Sequence, residues 1–289
     1  MRFARAEADS SGGRVQIRTD NVSALTVLPE RMESPAKVVS VDGVEFKGPG
    51  LQLEKWEGKW RPVASKGLRK HMGRCGPVDD VFQDPFLIVF GSSGESDLLS
   101  DVCEAEARGF ADKWEKRYGY RPPVKKDKDV SPDERRHFNL ALFGGPEANS
   151  ISAAVMPALP IRIERDAIAV GGRRCEGEDL GIIMCYPSPF DKDHMVALIA
   201  GTTPAAQYQA WDRFGSLGEV AGPARSKWFD YAVFDGRTAG PETLLLAGFF
   251  DNDWKLSDAE GFCWRRDESA LAGLRPQGFP PAGAATVSA

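Results

Sequence analysis

The chain has 289 residues, of which 42% are hydrophobic and 27% are charged, as in an ordinary globular protein of one large domain or two modest ones. The formal net charge is −5 and Lys and Arg form no dense basic stripe, which argues against nucleic acid as a partner. Without a run of about 18 apolar residues we expect no membrane span, and without an apolar h-region near Met1 we expect no signal peptide there.

The first part of the chain predicts a small β-rich unit at residues 12–64. Hydrophobic and polar residues alternate there in short stretches that Gly and Pro separate, a pattern typical of antiparallel strands. The alternating pairs are Val15 and Ile17, Leu25 and Val27, Val39 and Val41, and Leu51 and Leu53. The polar, Gly-containing stretch at residues 65–84 is interpreted as a linker.

From residue 85 the pattern changes to a strand followed by a helix. Phe86–Phe90 is a continuous apolar run, as expected for a strand buried on both faces. The loop Gly91-Ser92-Ser93-Gly94 follows. Hydrophobic residues at helical spacing then predict a helix from about Asp97 to Tyr118, with a buried face formed by Leu99, Cys103, Phe110 and Trp114.

A second strand and more elements follow. Ser131-Pro132-Asp133-Glu134 predicts a capping box at the start of a short helix that ends near His137. Asn139–Phe143 reads as another buried strand, followed by Gly144-Gly145-Pro146 and a short helix. A further helix is predicted from Thr203 to Phe214, and further strands at 161–164, 167–170, 181–185, 195–200, 229–234 and 244–249.

Strands that alternate with helices predict an α/β fold, with a mainly parallel or mixed sheet and flanking helices. We therefore expect a Rossmann-like sandwich at residues 85–257, preceded by the small β-rich unit. The late strands, which have no helix between them, favour an antiparallel or mixed edge. The Pro-, Gly- and Ala-rich residues 273–289 predict a disordered tail.

The loops after the two buried strands form the candidate ligand site. If the strands are parallel members of one sheet, both loops emerge at the edge where such sheets bind ligands. Ser92, Ser93, Gly145 and Asn149 would then line a shallow cleft suited to a small anion or a sugar. The same residues also suit tight turns that bind nothing.

Catalytic and metal sites have weaker signals. Ser93 could act as a nucleophile with His194 as base and an Asp beside it, but Glu95 stands where G-x-S-x-G needs its second Gly. The five cysteines form no C-x-x-C pair, and Asp251-Asn252-Asp253 is interpreted as a turn rather than a calcium loop. We expect no metal and no cofactor.

Several segments together resemble a known family. Gly76-Pro77-Val78-Asp79-Asp80-Val81-Phe82-Gln83-Asp84-Pro85-Phe86 resembles a "G-P-I-x-D-A-F-x-D-P-F" stretch. Other matching segments follow in order: Val124–Asp127, Asn139–Gly144, Leu159–Ile161, Val170–Gly172 and Tyr186–Pro189. Across roughly residues 14–257 the chain is similar to the C-terminal region of large exported bacterial prolyl-oligopeptidase-like proteins, in which an α/β-hydrolase domain precedes such a module.

This resemblance implies a non-catalytic accessory module of a multidomain serine hydrolase or peptidase, for domain packing or for substrate or surface binding. The family's catalytic residues lie in the upstream hydrolase domain, which would be the partner, and no position here matches them. The resemblance also implies export to the periplasm or the extracellular space. Two alternatives stay open: an independent esterase or peptidase using Ser93 and His194, and a small-anion- or sugar-binding α/β protein.

Overall fold

A computed structural model describes residues 4–27, 38–47, 51–63, 67–71, 73–210, 229–238 and 244–262 of the chain. The chain divides into two compact units at Gly67 and Leu68. Each unit has a hydrophobic core of its own.

The first unit consists of short strands in two sheets. One sheet has the order β1-β2-β4-β5 and the other the order β3-β6-β7. Neighbouring strands are antiparallel, except that β2 and β4 are parallel. The strands are β1 (Arg5–Ser11), β2 (Arg14–Asp20), β3 (Ala24–Val27), β4 (Val38–Val41), β5 (Val44–Phe46), β6 (Leu51–Trp56) and β7 (Lys59–Pro62). Their alternating hydrophobic residues, such as Val15 and Ile17 on β2, are buried.

Asp42 is a hydrogen-bond centre of this first unit. It lies in the turn between β4 and β5 with a φ of 48°. Its carboxylate accepts hydrogen bonds from the Thr19 amide (2.7 Å) and hydroxyl (2.6 Å), the Trp60 indole (2.7 Å) and the Lys55 ammonium group (3.1 Å). Burial alone would raise the pKa of Asp42, but these donors, Thr19 foremost, outweigh it and lower the pKa. One ionised carboxylate therefore connects residues of both sheets.

The second unit is built on an eight-stranded sheet with the order β18-β17-β16-β14-β15-β10-β8-β9. Strands β9, β8, β10 and β15 are parallel to one another, and the remaining neighbours are antiparallel. The strands are β8 (Phe86–Phe90), β9 (Val124–Lys126), β10 (Asn139–Phe143), β14 (Leu180–Pro187), β15 (Met195–Gly201), β16 (Tyr231–Asp235), β17 (Leu246–Phe250) and β18 (Leu256–Phe262). A second antiparallel sheet contains β11 (Ile161–Ile163), β12 (Ala167–Val170) and β13 (Arg173–Glu176), and β12 packs against β14.

In the described part of the chain, few helices accompany these sheets. The α-helices are α1 (Asp97–Tyr118), α2 (Pro132–His137) and α3 (Ser150–Val155), and residues 204–210 are also helical. Short 3-10 helices form at Val78–Phe82, Asp127–Asp129 and Met156–Ala158. Helix α1 begins at the Ser96 cap and packs against β8, β9 and β10. The predicted capping box of α2 is confirmed, because the side chains of Ser131 and Glu134 each accept a hydrogen bond from the other's backbone amide.

The predicted fold class is wrong. The structure is rich in strands, and its several sheets are mostly antiparallel or mixed, so it is not a mainly parallel α/β sandwich flanked by helices. The connections explain the difference. Only seven residues, 188–194, join β14 to β15, and a parallel crossover needs a dozen or more. These two strands must therefore turn back on each other, although both are buried throughout.

Some predicted segments lie partly or wholly outside the described residues. The predicted tail at 273–289 lies outside them, and so do residues 211–214 of the predicted helix that begins near Thr203. The stretch interpreted as a linker contains the 3-10 helix Val78–Phe82, whose Val78 and Val81 are buried in the core of the second unit. Of the helices in the described part of the chain, none is both long enough and apolar enough to cross a membrane.

The packing of α1 gives a prediction for Phe110. Its ring is 6% exposed and lies 5.2 to 6.3 Å from the rings of Phe82, Phe86 and Phe143. Because Phe110→Ala leaves a cavity, we expect it to lower the free energy of unfolding of this unit by about 3–5 kcal/mol in a denaturant titration. Leu98→Ala on the same helix is the control, since Leu98 is 63% exposed, and it should change the value by less than about 0.5 kcal/mol. A loss below about 1 kcal/mol for Phe110→Ala would contradict this packing.

Candidate functional site

The loops after β8 and β10 lie together at one edge of the sheet. The two strands are parallel neighbours, with Phe90 opposite Phe143 at their carboxyl ends. The loops then approach each other very closely. A Cβ atom on Gly91 or Gly94 would lie 2.7 Å from the carbonyl oxygen of Ala148 or Glu147, so only glycine fits at these two positions. The Ser93 amide also donates a hydrogen bond to the Ala148 carbonyl (2.9 Å).

The buried carboxylate of Asp127 joins these loops. It is fully buried and lies in the 3-10 helix that follows β9. Its Oδ1 accepts hydrogen bonds from the Ser92 amide (3.0 Å) and hydroxyl (2.7 Å), and its Oδ2 accepts from the Ser93 hydroxyl and the Ser150 amide (2.7 Å). The alternating charges of Lys125–Asp129 suggest a solvated loop, so sequence patterning missed this residue.

The ionisation of Asp127 is controlled by these donors. Burial by itself would raise its pKa, but the hydrogen bonds, that of Ser93 foremost, outweigh burial and lower the pKa below its usual value. The ionised carboxylate therefore lies beside the first amide of α3, where an external anion would otherwise find free backbone donors. A ligand that accepts hydrogen bonds from the Ser92 and Ser93 hydroxyls must therefore compete with Asp127.

Asn149 and Gly145 have structural hydrogen bonds at the same edge. The side-chain oxygen of Asn149 accepts from the amides of Ile151 (3.0 Å) and Ser152 (3.1 Å), which caps α3. Its amide nitrogen donates to the Phe143 and Val89 carbonyls, and the side chain is fully buried. The Gly145 carbonyl accepts from the Asn149 amide (2.9 Å). The structure thus brings the four predicted site residues to one edge, and their ligand binding stays a prediction.

Ser93 and His194 lie at opposite edges of the sheet. Ser93 follows the end of β8, whereas His194 immediately precedes β15, which runs in the same direction. At about 3.3 Å per residue, these strands hold the two edges roughly 15 Å apart. His194 instead forms a turn, in which its amide donates to the Asp191 carbonyl (3.0 Å) and its carbonyl accepts from the Ser188 amide (2.8 Å).

A second polar cluster surrounds Asp230, which immediately precedes β16. Asp230 is fully buried and forms an ion pair with Lys70, whose side chain is 11% exposed. Its Oδ2 also accepts from the Phe250 amide (2.8 Å), and the Lys70 ammonium group lies 4.9 Å from the centre of a Trp254 ring. Burial raises the pKa of Asp230, and Lys70 opposes this shift. The residues are 160 positions apart, and no local pattern relates them.

Gly76 and Cys75 complete this second cluster. A Cβ atom on Gly76 would lie 1.9 Å from Asp230 Oδ1, and the φ of Gly76 is +73°, so this position requires glycine. The exposed Cys75 donates its thiol hydrogen bond towards Asp80 Oδ2 (3.4 Å). Partial desolvation and the Asp80 charge raise the pKa of this thiol, which makes it a poor nucleophile.

The described residues offer no cluster of metal ligands. Among them, no group of three or more His, Cys, Asp or Glu side chains is placed to hold a metal ion. In the predicted turn at 251–253, Asp251 Oδ1 accepts hydrogen bonds from the amides of Asp253 and Lys255 at 2.8 Å. This carboxylate oxygen therefore organises the turn itself.

The Asp127 network predicts a sensitive position. Asp127→Asn removes the charge and replaces an acceptor by a donor, so we expect a loss of about 2–3 kcal/mol in the free energy of unfolding at pH 7. Because the pKa of Asp127 is lowered on folding, its contribution is present above the usual carboxyl pKa and is lost as the pH falls. Denaturant titrations at pH 7 and at acidic pH measure both effects. Asp129→Asn, an exposed carboxylate in the same 3-10 helix, is the matched control, and equal losses in the two variants would refute the assignment.

The Lys70–Asp230 pair predicts a non-additive response. Lys70→Met leaves a buried carboxylate without its counter-charge and should lower the free energy of unfolding by about 3–5 kcal/mol. The double variant Lys70→Met, Asp230→Asn removes both charges, so it should lose less than the single variant. Denaturant titration of the wild type, Lys70→Met, Asp230→Asn and the double variant measures this coupling. A double variant less stable than Lys70→Met would show that the charges are not paired in this way.

Comparison with known proteins assigns no family to this chain. No protein-family model and no curated protein sequence matches it. The resemblance to the C-terminal region of prolyl-oligopeptidase-like proteins therefore rests on the residues quoted from the sequence.

Proposed function

We propose that this chain is a non-catalytic accessory module of a larger serine hydrolase or peptidase, and that it acts in domain packing or in binding a substrate or surface. The observation that carries this proposal is the Asp127 network. It occupies the sheet edge at which a doubly wound enzyme would hold its ligand. The hydroxyls of Ser92 and Ser93 already donate to a carboxylate of the same chain.

The chemistry of Ser93 supports the same proposal. A nucleophilic serine needs a base that can take its proton near neutral pH. The partner of Ser93 is Asp127, whose lowered pKa makes it a weak proton acceptor. His194, the base in the alternative hydrolase hypothesis, lies at the opposite edge of the sheet. The contacts of Ser93 are those of a residue that stabilises a loop.

The proposed type of the larger protein, a serine hydrolase or peptidase, comes from the sequence resemblance. Segments such as Gly76–Phe86 and Asn139–Gly144 resemble the region that follows an α/β-hydrolase domain in exported prolyl-oligopeptidase-like proteins. On this basis the partner is an upstream hydrolase domain of the same polypeptide, and the location is the periplasm or the extracellular space. A small anion is a poorer ligand for the loop edge, because it would meet the ionised Asp127 at the start of α3.

An assay of Ser93 tests the proposal. We expect the chain to turn over p-nitrophenyl acetate and a prolyl p-nitroanilide no faster than its Ser93→Ala variant does. The same substitution should lower the free energy of unfolding by about 1–3 kcal/mol, because Asp127 loses a charge-assisted hydrogen bond. Wild-type turnover that disappears in Ser93→Ala would overturn the proposal and establish the independent hydrolase.

A further inference from the structure

Glu106 is a buried carboxyl group on the inner face of α1. It is 3% exposed, and it lies one turn from both Cys103 and Phe110, which are also buried. Its Oε2 accepts a hydrogen bond from Gln207 Nε2 at 2.8 Å. Within the described part of the chain, its Oε1 has no hydrogen-bond partner. A carboxylate in such a place lacks the donors that stabilise Asp127.

Gln207 connects Glu106 to the end of β15. Its Oε1 accepts from the Gly201 amide (3.0 Å), and its Nε2 also donates to the Ile199 carbonyl (3.2 Å). The Gly201 N–H group fixes the orientation of this side-chain amide, so the nitrogen must face Glu106. The helix at 204–210 lies so close to β15 that a Cβ atom on Gly201 would be 2.1 Å from the backbone nitrogen of Gln207.

Among the described residues, the groups that interact with Glu106 are neutral. They are the Cys103 thiol on its own helix, the Gln207 amide on the helix at 204–210, and the backbone at the end of β15. Burial, with the negative charge of Glu106 as a further cause, raises the pKa of Cys103 to about 12. Among the described residues no Lys, Arg or His forms an ion pair with Glu106, and the nearby Arg108 pairs with Glu104. Burial raises the pKa of Glu106 to about 8, and the Gln207 hydrogen bond offsets only part of this shift.

We propose that Glu106 is a proton-dependent latch, which in its neutral form holds the helix at 204–210 against the end of β15 and on ionisation releases it. Ionisation places an uncompensated charge between α1 and this helix. The available relief is to open the contact and hydrate the carboxylate, which breaks the hydrogen bonds that join Gln207 to Glu106, to the Gly201 amide and to the Ile199 carbonyl. This inference does not depend on the proposed accessory function.

The direction of the pH effect follows from the raised pKa. The closed form keeps its proton up to about pH 8, whereas the opened or unfolded chain loses it near the usual value of 4.5. The latch is therefore strongest below pH 4.5 and weakens as the pH rises towards 8. Within that window the open population increases by up to about tenfold per pH unit.

Hydrogen exchange at the backbone amides of Gly201 and of residues 206–210 tests this latch between pH 5 and 9. After correction for the intrinsic pH dependence of exchange, we expect wild-type protection to fall by up to about tenfold per pH unit towards pH 8. Glu106→Gln should keep its protection constant. Glu104→Gln, a partly exposed residue of the same helix, should behave as the wild type does. Constant protection in the wild type, or equal slopes in wild type and Glu106→Gln, would overturn the proposal.

A titration of the unmodified protein makes the test independent of variant folding. The side-chain carboxyl carbon of Glu106, followed by 13C NMR, should titrate with a midpoint near 8, the pH at which the loss of protection at Gly201 levels off. A midpoint between 4 and 5, or a titration without any change at Gly201, would show that the carboxyl does not control this helix.

Discussion

The arrangement of the loops after β8 and β10 depends on the ionised carboxylate of Asp127. Its four hydrogen-bond donors come from the loop after β8 and from the start of α3, so one side chain holds three separate segments in place. The donors are hydroxyl and amide groups, and together they lower the pKa enough to keep the charge in a fully buried position. Glycine at positions 91 and 94 permits the close approach of the loops, because a Cβ atom at either position would collide with a carbonyl oxygen of the other loop.

Buried carboxyl groups in the second unit are accommodated in three different ways. Asp127 is ionised and held by neutral donors, Asp230 is paired with Lys70, and Glu106 is held in its neutral form by burial beside an amide. The number of donors and cations within reach decides between these outcomes. Since the two aspartates share a residue type and full burial, their different chemistry comes entirely from residues distant in sequence.

The sequence was sufficient to find local elements and insufficient to orient them. The apolar runs Phe86–Phe90 and Asn139–Phe143 are strands, and the Ser131 capping box forms, because each signal lies within a few residues. The prediction of a mainly parallel sheet was wrong, since a strand buried on both faces has the same pattern in parallel and antiparallel sheets. The seven-residue connection from β14 to β15 was the signal that should have corrected it. Ser92, Ser93 and Asn149 lie at the same edge, as predicted, because β8 and β10 are parallel neighbours. Asp127 was not predicted, because the alternating charges around it are typical of a solvated loop.

The loop edge of the sheet combines a fixed charge with a titratable one. Strands β8, β10 and β15 run in parallel and end there, so the Asp127 network and the Gln207 contact with Gly201 belong to the same edge. Helix α1 approaches both, with Cys103 lying against Gly144 and Glu106 one turn further along. The pKa of Asp127 is lowered and that of Glu106 is raised. In the closed form, therefore, neither group changes its charge at a pH between these two pKa values. Above about pH 4.5, opening of the helix at 204–210 lets Glu106 lose its proton, so this contact weakens as the pH rises towards 8, while the ionised Asp127 keeps the Ser92–Ser93 loop closed.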